Sequence, residues 1–193
     1  MKTILTLAVA AAALAVTAVV PAHAQAIDPL TGKPLQGPGM GGGSYTRIPR
    51  ENVDIDEKYA PGTIVVRTSE KRLYYVTERG RATKYGIGVG REGFQFSGTY
   101  PLTRKAEWPG WTPPAEMHAR QPGLPQFMPG GPNNPLGARA LYIGSTLYRI
   151  HGSNEPWSIG HEVSSGCIRM LNEDVIDLYN QASIGSKIIV THN

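Results

Sequence analysis

The strongest constraint on the fold is a series of short segments rich in β-branched and aromatic residues, separated by turn-forming residues. This composition favours β-strands. The segments are 63–68, 73–77, 84–89, 140–144, 147–151 and 187–191. Residues 172–182 differ, because their apolar residues recur at helical spacing behind a predicted N-cap at Asn172. The sequence therefore predicts a mainly β domain with one principal α-helix.

Two features between the predicted strands leave alternatives open. Gly86 and Gly88 could approach a phosphate, but no helix pattern follows them, so a strand crowded by another backbone is favoured. Residues 98–137 are rich in turn formers and are predicted to be a long loop that serves as a lid or a binding wall. Within it, Trp108 and Trp111 either stack on sugar rings or anchor the loop.

The N-terminal part of the 193-residue chain has the pattern of an exported protein. Residues 1–24 begin with a positive charge, continue with an apolar run and end in Ala22-His23-Ala24, which is typical of a cleaved signal peptide. A membrane anchor is the alternative, but the run is short for a span. Residues 25–59 are predicted to be a flexible Gly/Pro-rich segment and 60–193 the folded domain. We therefore expect an exported protein without stable membrane insertion after cleavage.

The charge pattern excludes one class of partner. The formal net charge is +4 at pH 7, and the lysines and arginines are scattered along the chain. Nucleic-acid binding usually requires a basic run or patch. We therefore expect no nucleic-acid partner.

Cys167 is the only cysteine of the chain. In an exported protein, an unpaired cysteine is a reactive thiol, a partner for another chain or a buried structural residue. A thiol reacts as the thiolate, and an imidazole can accept its proton. His151 lies upstream at the end of a predicted strand. This pairing favours a cysteine nucleophile with a histidine base.

The residues around Cys167 suit acyl transfer. An oxyanion requires hydrogen-bond donors, and the turn formed by Ser165 and Gly166 offers the backbone amides of Gly166 and Cys167. Arg169 either binds a substrate carboxylate or forms a salt bridge that braces the loop. A zinc site built from Cys167 and His151 is a distant alternative, because structural zinc requires about four ligands. The sequence implies no metal and no cofactor.

The combined pattern resembles a known family. The segment from His151 to Asn154, followed by Ser-Ser-Gly-Cys-Ile-Arg at 164–169, closely resembles the signature of the L,D-transpeptidases, the YkuD-type catalytic domain. The resemblance extends over about residues 64–190. It implies a small β-sandwich-like domain with a crossing helix. It also implies a reaction in which the cysteine attacks a peptidoglycan tetrapeptide stem, D-alanine leaves, and an amine of another stem or of a wall-attached protein resolves the thioester.

The resemblance assigns roles to individual residues. Cys167 would be the nucleophile, His151 the proton acceptor and donor, and Gly152 the backbone position that orients the histidine. Arg169 would help to place the substrate, and carbapenems would acylate the cysteine. Many members have a histidine where this chain has Ser165, which leaves the role of that position open. His161, in the insertion between the motif halves, is a candidate to compensate.

Two other functions remain open within this resemblance. An L,D-carboxypeptidase would use water as the acceptor in place of an amine. An inactive peptidoglycan-binding module would keep the groove without the chemistry, although the presence of both His151 and Cys167 argues against it. The sequence also predicts that replacing either residue with alanine abolishes turnover and leaves the fold intact.

Overall fold

A computed structural model of the chain describes residues 47–120 and 122–192. In these residues the chain forms eleven strands, two α-helices and a short 3-10 turn at Pro156–Ser158. The strands are β1 (Glu51–Asp54), β2 (Ile64–Arg67), β3 (Arg72–Glu78), β4 (Arg81–Gly86), β5 (Val89–Gly90), β6 (Gly98–Glu107), β7 (Arg139–Ile143), β8 (Arg149–His151), β9 (Glu162–Ser164), β10 (Ile168–Arg169) and β11 (Lys187–Thr191). The helices are α1 (Ala115–Arg120) and α2 (Asn172–Gln181).

Nine strands form one curled sheet in the order β1-β4-β3-β2-β11-β6-β7-β8-β10, and β5 pairs with β9 separately. Neighbours in the large sheet are antiparallel except for β2 with β11 and β8 with β10. The helix α2 packs against β7 and β8 and buries Val175 and Leu178. Each such side chain contributes roughly 1.5–3 kcal/mol by leaving water. The predicted mainly β, β-sandwich-like domain with one principal helix is confirmed.

Both faces of the central strands are buried, which explains their β-branched composition. Ile64 and Val66 of β2 belong to the main core, which also contains side chains of α2. Between them, Val65 points to the opposite face and packs with Tyr74 and Val76 of β3 in a second apolar cluster. Side chains of a strand alternate between its faces, so a strand covered on both sides is continuously apolar.

Residues 98–107 correct the predicted long loop. They form the ten-residue strand β6, which pairs first with β11 and then with β7. Only Leu102 of this strand is fully buried, and Arg104 and Glu107 are exposed. The alternation of apolar and polar residues that marks a half-buried strand is therefore missing from the sequence. The short helix α1 lies farther along the same predicted loop.

The folded part also begins earlier than the sequence indicates. Residues 51–54 fall in the predicted flexible segment, but they form β1, which pairs with β4. Two ion pairs reinforce this pairing, Asp54 with Arg81 at 2.5 Å and Glu51 with Lys84 at 2.6 Å. The predicted signal peptide and residues 25–46 lie outside the described residues. In the described part of the chain, no helix combines the length and apolarity needed to cross a bilayer.

The crowding predicted for Gly88 is confirmed. A Cβ atom at Gly88 would lie 2.6 Å from the carbonyl oxygen of Ser158, and one at Gly86 would lie 2.7 Å from the side chain of Ile48. Gly88 also exchanges backbone hydrogen bonds with Arg169, which connects this segment to the edge strand β10. The bare strand face therefore packs against protein and does not cradle a phosphate.

Candidate active site

The parallel pairing of β8 with β10 brings the two halves of the sequence motif together. In this register Ile150 is opposite Ile168, and both side chains are buried in the core. Because side chains alternate along a strand, the residues that flank each isoleucine point to the other face. That face carries the candidate site. Its residues are Arg149, His151, Cys167 and Arg169.

His151 is held in one tautomer. Its ring is 4% exposed, and Nδ1 lies 2.5 Å from the carbonyl oxygen of Gly152. A carbonyl only accepts hydrogen bonds, so Nδ1 carries the hydrogen and Nε2 of the neutral ring is the free acceptor. Burial, and then the charge of Arg169, lower the pKa of His151 to about 3. The imidazole is therefore neutral near pH 7 and can take up a proton at Nε2.

The lowered pKa of His151 predicts a specific loss of stability in acid. The unfolded histidine titrates near its ordinary pKa of 6.5, and the folded one near 3. This contribution is complete above pH 6.5 and is lost as the pH falls towards 3, because only the unfolded state then binds the proton. Between pH 6.5 and 4.5 we expect the free energy of unfolding to fall by about 2 kcal/mol more in the wild type than in His151→Gln. Denaturant unfolding across this pH range measures the difference. Parallel plots of unfolding free energy against pH for the two proteins would contradict the prediction.

Cys167 is half-buried beside Arg149 of the neighbouring strand. The register of β8 with β10 puts the two residues on the same face of neighbouring chain segments. Burial raises the pKa of the Cys167 thiol, and the positive charges of Arg149 and Arg169 oppose this shift. The resting pair is therefore a neutral thiol and a neutral imidazole.

The turn before Cys167 is held by Ser164. The Ser164 hydroxyl donates to the carbonyl of Cys167 at 2.5 Å and accepts the N–H of Gly166 at 3.2 Å. Gly166 has φ +105°, a conformation that other residues rarely adopt, and its Cα faces the ring of Tyr148. Since the Gly166 amide already has a partner, its oxyanion role stays a prediction that requires this bond to open. The Cys167 N–H has no hydrogen-bond partner among the described residues, and the Ser165 side chain is half-buried beside it.

Arg169 forms a buried ion pair in the structure. Its guanidinium lies 2.6 Å from the carboxylate of Glu155, and the two side chains are 11% and 10% exposed. The backbone N–H of Glu155 in turn donates to the hydroxyl of Ser153 at 2.9 Å. Of the two roles considered for Arg169, the bracing of the loop is the one with a described contact. Its substrate role stays a prediction.

Asn172 does not cap α2 as predicted. The helix begins at Asn172 itself, with Leu171 at the capping position. The Asn172 side chain instead accepts the N–H of Ala138 at 2.9 Å and donates to the carbonyl of Ser153 at 3.1 Å. It thereby ties the helix to the segment that follows His151. An asparagine before two acidic residues is a strong capping signal, and only the tertiary contacts reveal the other role.

Gly152 has no room for a side chain, which predicts a large effect of Gly152→Ala. The new Cβ would collide with Oδ1 of Asn172 and lie 3.0 Å from the backbone nitrogen of Ala138. We expect a loss of about 1–3 kcal/mol in unfolding free energy, because overpacking of a close contact displaces the backbone. Gly123→Ala is the matched control, since a Cβ there has no atom within 4 Å. Thermal and denaturant unfolding measure the stability of both variants. Equal stability of Gly152→Ala and Gly123→Ala would contradict the prediction.

The segment 108–138 between β6 and β7, which carries Trp108 and Trp111, adjoins the site through its backbone. The Trp108 N–H donates to the carbonyl of Ala138, and Asn154 donates to the carbonyl of Asn133 at 3.2 Å. The Trp108 side chain is 44% exposed. This exposure leaves the stacking role a prediction. The first bond closes the base of this segment, and the second couples it to the residues after His151.

The remaining candidates from the sequence are His161 and a metal site. His161 is exposed at the turn before β9, and no described contact joins its side chain to Cys167. Over residues 47–120 and 122–192, no group of three or more His, Cys, Asp and Glu side chains is placed to hold a metal ion.

Relatives of this chain share the motif-bearing region. The family model for YkuD, the L,D-transpeptidase catalytic domain, matches residues 61–190. The probable L,D-transpeptidase YbiS of Escherichia coli strain K12 is 39% identical over 154 residues, which are 76% of this chain and 49% of YbiS. The chain thus spans about half the length of the curated relatives it matches first.

Two solved structures extend the comparison. A Brucella melitensis protein described as a probable carnitine operon oxidoreductase is 41% identical, with a TM-score of 0.52, over 76% of this chain and 95% of that one. The catalytic domain of an Enterococcus faecium L,D-transpeptidase acylated by ertapenem is 19% identical, with a TM-score of 0.52, over 67% and 95%. The latter likeness concerns the fold alone. On the extent of the family match and the identity of the curated relatives, this chain belongs to the L,D-transpeptidase family and carries its YkuD-type catalytic domain.

Proposed function

We propose that the chain is a peptidoglycan L,D-transpeptidase in which Cys167 carries the acyl group and His151 moves the protons. The donor is a tetrapeptide stem, and the acceptor is an amine of another stem or of a wall-attached protein. The observation that carries this proposal is the register of β8 and β10, which puts both residues on one face with Nε2 of His151 unprotonated.

The first half-reaction forms a thioester. His151 takes the thiol proton as the Cys167 sulfur attacks the carbonyl between the third and fourth stem residues. The S–C bond forms and the C–N bond to D-alanine breaks. His151 then gives this proton to the leaving amine, as general acid–base catalysis requires. The Cys167 N–H, which has no partner among the described residues, is placed to donate to the oxyanion.

The second half-reaction transfers the acyl group. The acceptor amine attacks the thioester carbonyl, the N–C bond forms and the S–C bond breaks. His151 takes the proton of the amine and returns it to the sulfur. The enzyme ends in its starting state, with no net proton taken up. Water in place of the amine would give the carboxypeptidase reaction by the same steps.

Product analysis tests the proposal. The purified chain is incubated with tetrapeptide-stem muropeptides, with Cys167→Ala as the control, and the products are identified by mass spectrometry. We expect cross-linked dimers and free D-alanine with the wild type only. Trimmed tripeptides without dimers would replace the transferase with the carboxypeptidase. No product from the wild type would favour a binding module.

We also propose that the protein acts outside the cytoplasm, where its substrate lies. The support is the signal-peptide pattern of residues 1–24. Expression with the native N-terminus and mass measurement of the secreted or periplasmic product tests it. A mature chain beginning at Gln25 is expected, and an uncleaved chain retained in the cytoplasm would contradict export.

A further inference from the structure

We propose that Arg149 is a catalytic residue, whose guanidinium holds the Cys167 sulfur in its negatively charged form during attack. The inference rests on the proposed function, because it presumes that Cys167 is the nucleophile. Nothing in the sequence motif points to this arginine. The register of β8 with β10 places it on the same face as Cys167.

Arg149 lies on the strand adjacent to Cys167, at the same level. The pairing of Ile150 with Ile168 puts Arg149 one residue before the pair on β8 and Cys167 one residue before it on the chain entering β10. Both side chains therefore lie on the same face. The Arg149 guanidinium carbon also lies 5.3 Å from the centre of the Tyr142 ring on β7. The guanidinium is therefore held beside an aromatic ring on the neighbouring strand.

The charge of Arg149 is uncompensated in the resting site. Arg169, the other cation of this face, is paired with Glu155. No carboxylate of the described residues forms an ion pair with Arg149, and its Nε atom is buried without a hydrogen-bond partner in the described part of the chain. A partly buried cation without a counter-charge is costly unless a partner supplies one. The thiolate formed at Cys167, on the same face, would supply that counter-charge.

Arg149 and His151 then have separate tasks. His151 accepts the thiol proton at Nε2, which leaves a negative sulfur between the two strands. The guanidinium keeps its own protons and stabilises the sulfur by charge-assisted hydrogen bonding. The proton leaves on the departing amine as described above, so the balance of the reaction is unchanged. Arg149 contributes a fixed positive charge and no proton.

The rate of alkylation by iodoacetamide as a function of pH tests this role directly. Cys167 is the only cysteine, so the rate reports on this thiol alone. In Arg149→Gln we expect the midpoint of the pH profile to rise by about one unit or more, and the rate at pH 7 to fall about tenfold. Arg149→Lys, which keeps the charge, should give a smaller shift. Arg104→Gln is the matched control, since Arg104 lies 3.7 Å from the centre of the same Tyr142 ring.

The outcomes separate this inference from the proposed function. An unchanged profile in Arg149→Gln, with a wild-type melting transition, would overturn the role of Arg149 even if the wild type cross-links stems. A shifted profile in a protein that yields no muropeptide product would support Arg149 and contradict the proposed function. If the glutamine variant does not fold, Arg149→Met keeps the packing on Tyr142 and is judged by the same profile.

Discussion

We expect Cys167→Ala to abolish acyl transfer and to leave the fold nearly unchanged. No other thiol exists in the chain to take its place, so the loss is expected to exceed about 10⁴-fold in turnover. The side chain is half-buried beside the edge strand β10 and outside the main core. Its truncation therefore removes few packing contacts. Release of D-alanine from tetrapeptide stems measures activity, and thermal unfolding measures stability.

Cys167→Ser refines this test. A serine keeps the size of the side chain and offers a hydroxyl, which is a far weaker nucleophile than a thiol near a neutral imidazole. We expect its turnover to fall almost as far as that of the alanine variant. Activity within tenfold of the wild type in either variant would mean that the sulfur does not carry the acyl group.

His151→Gln is expected to lower kcat/KM by about 10²–10⁴-fold, the usual range for loss of a general acid–base. Glutamine is the chosen replacement because the ring is only 4% exposed. The sequence places His151 at a strand end and predicts that alanine leaves the fold intact, but the structure buries the ring, so alanine would open a cavity. His161→Gln is the matched control, because that ring is exposed near the same motif.

The pH dependence distinguishes a base from a structural histidine at position 151. Both roles predict some loss of stability on substitution, but only a base also removes the proton-transfer step. We expect the His151→Gln variant to keep the alkylation of Cys167 at high pH, where the thiol ionises unaided, and to lose it near pH 7. Turnover equal to that of His161→Gln would contradict the assignment.

The sequence predicted the fold where strands are apolar and continuous. Segments such as β2 and β11 are buried and rich in β-branched residues, so their local composition agrees with their position in the sheet. The edge strand β1 and the largely exposed strand β6 were missed because charged and polar residues dominate them. Their pairing depends on neighbouring strands that are distant in sequence, which periodicity does not report.

The site was predictable only in part, for a similar reason. The sequence motif predicts His151 and Cys167 as the catalytic pair because the chemistry requires these residue types near each other, and the register of β8 with β10 puts both on one face. Arg149, Glu155 and Asn172 were missed, since their roles depend on the register of β8 with β10 and on the docking of α2. Asn172 was even assigned another task, because its local context alone fits a helix cap.

The most direct test of the central claim is the intact mass of the wild type and of Cys167→Ala after exposure to meropenem, followed by peptide mapping. The claim that Cys167 carries an acyl group predicts one drug adduct per wild-type chain, on the peptide that contains Cys167, and none on the alanine variant. An unmodified wild type, or an adduct that persists in Cys167→Ala, would contradict it.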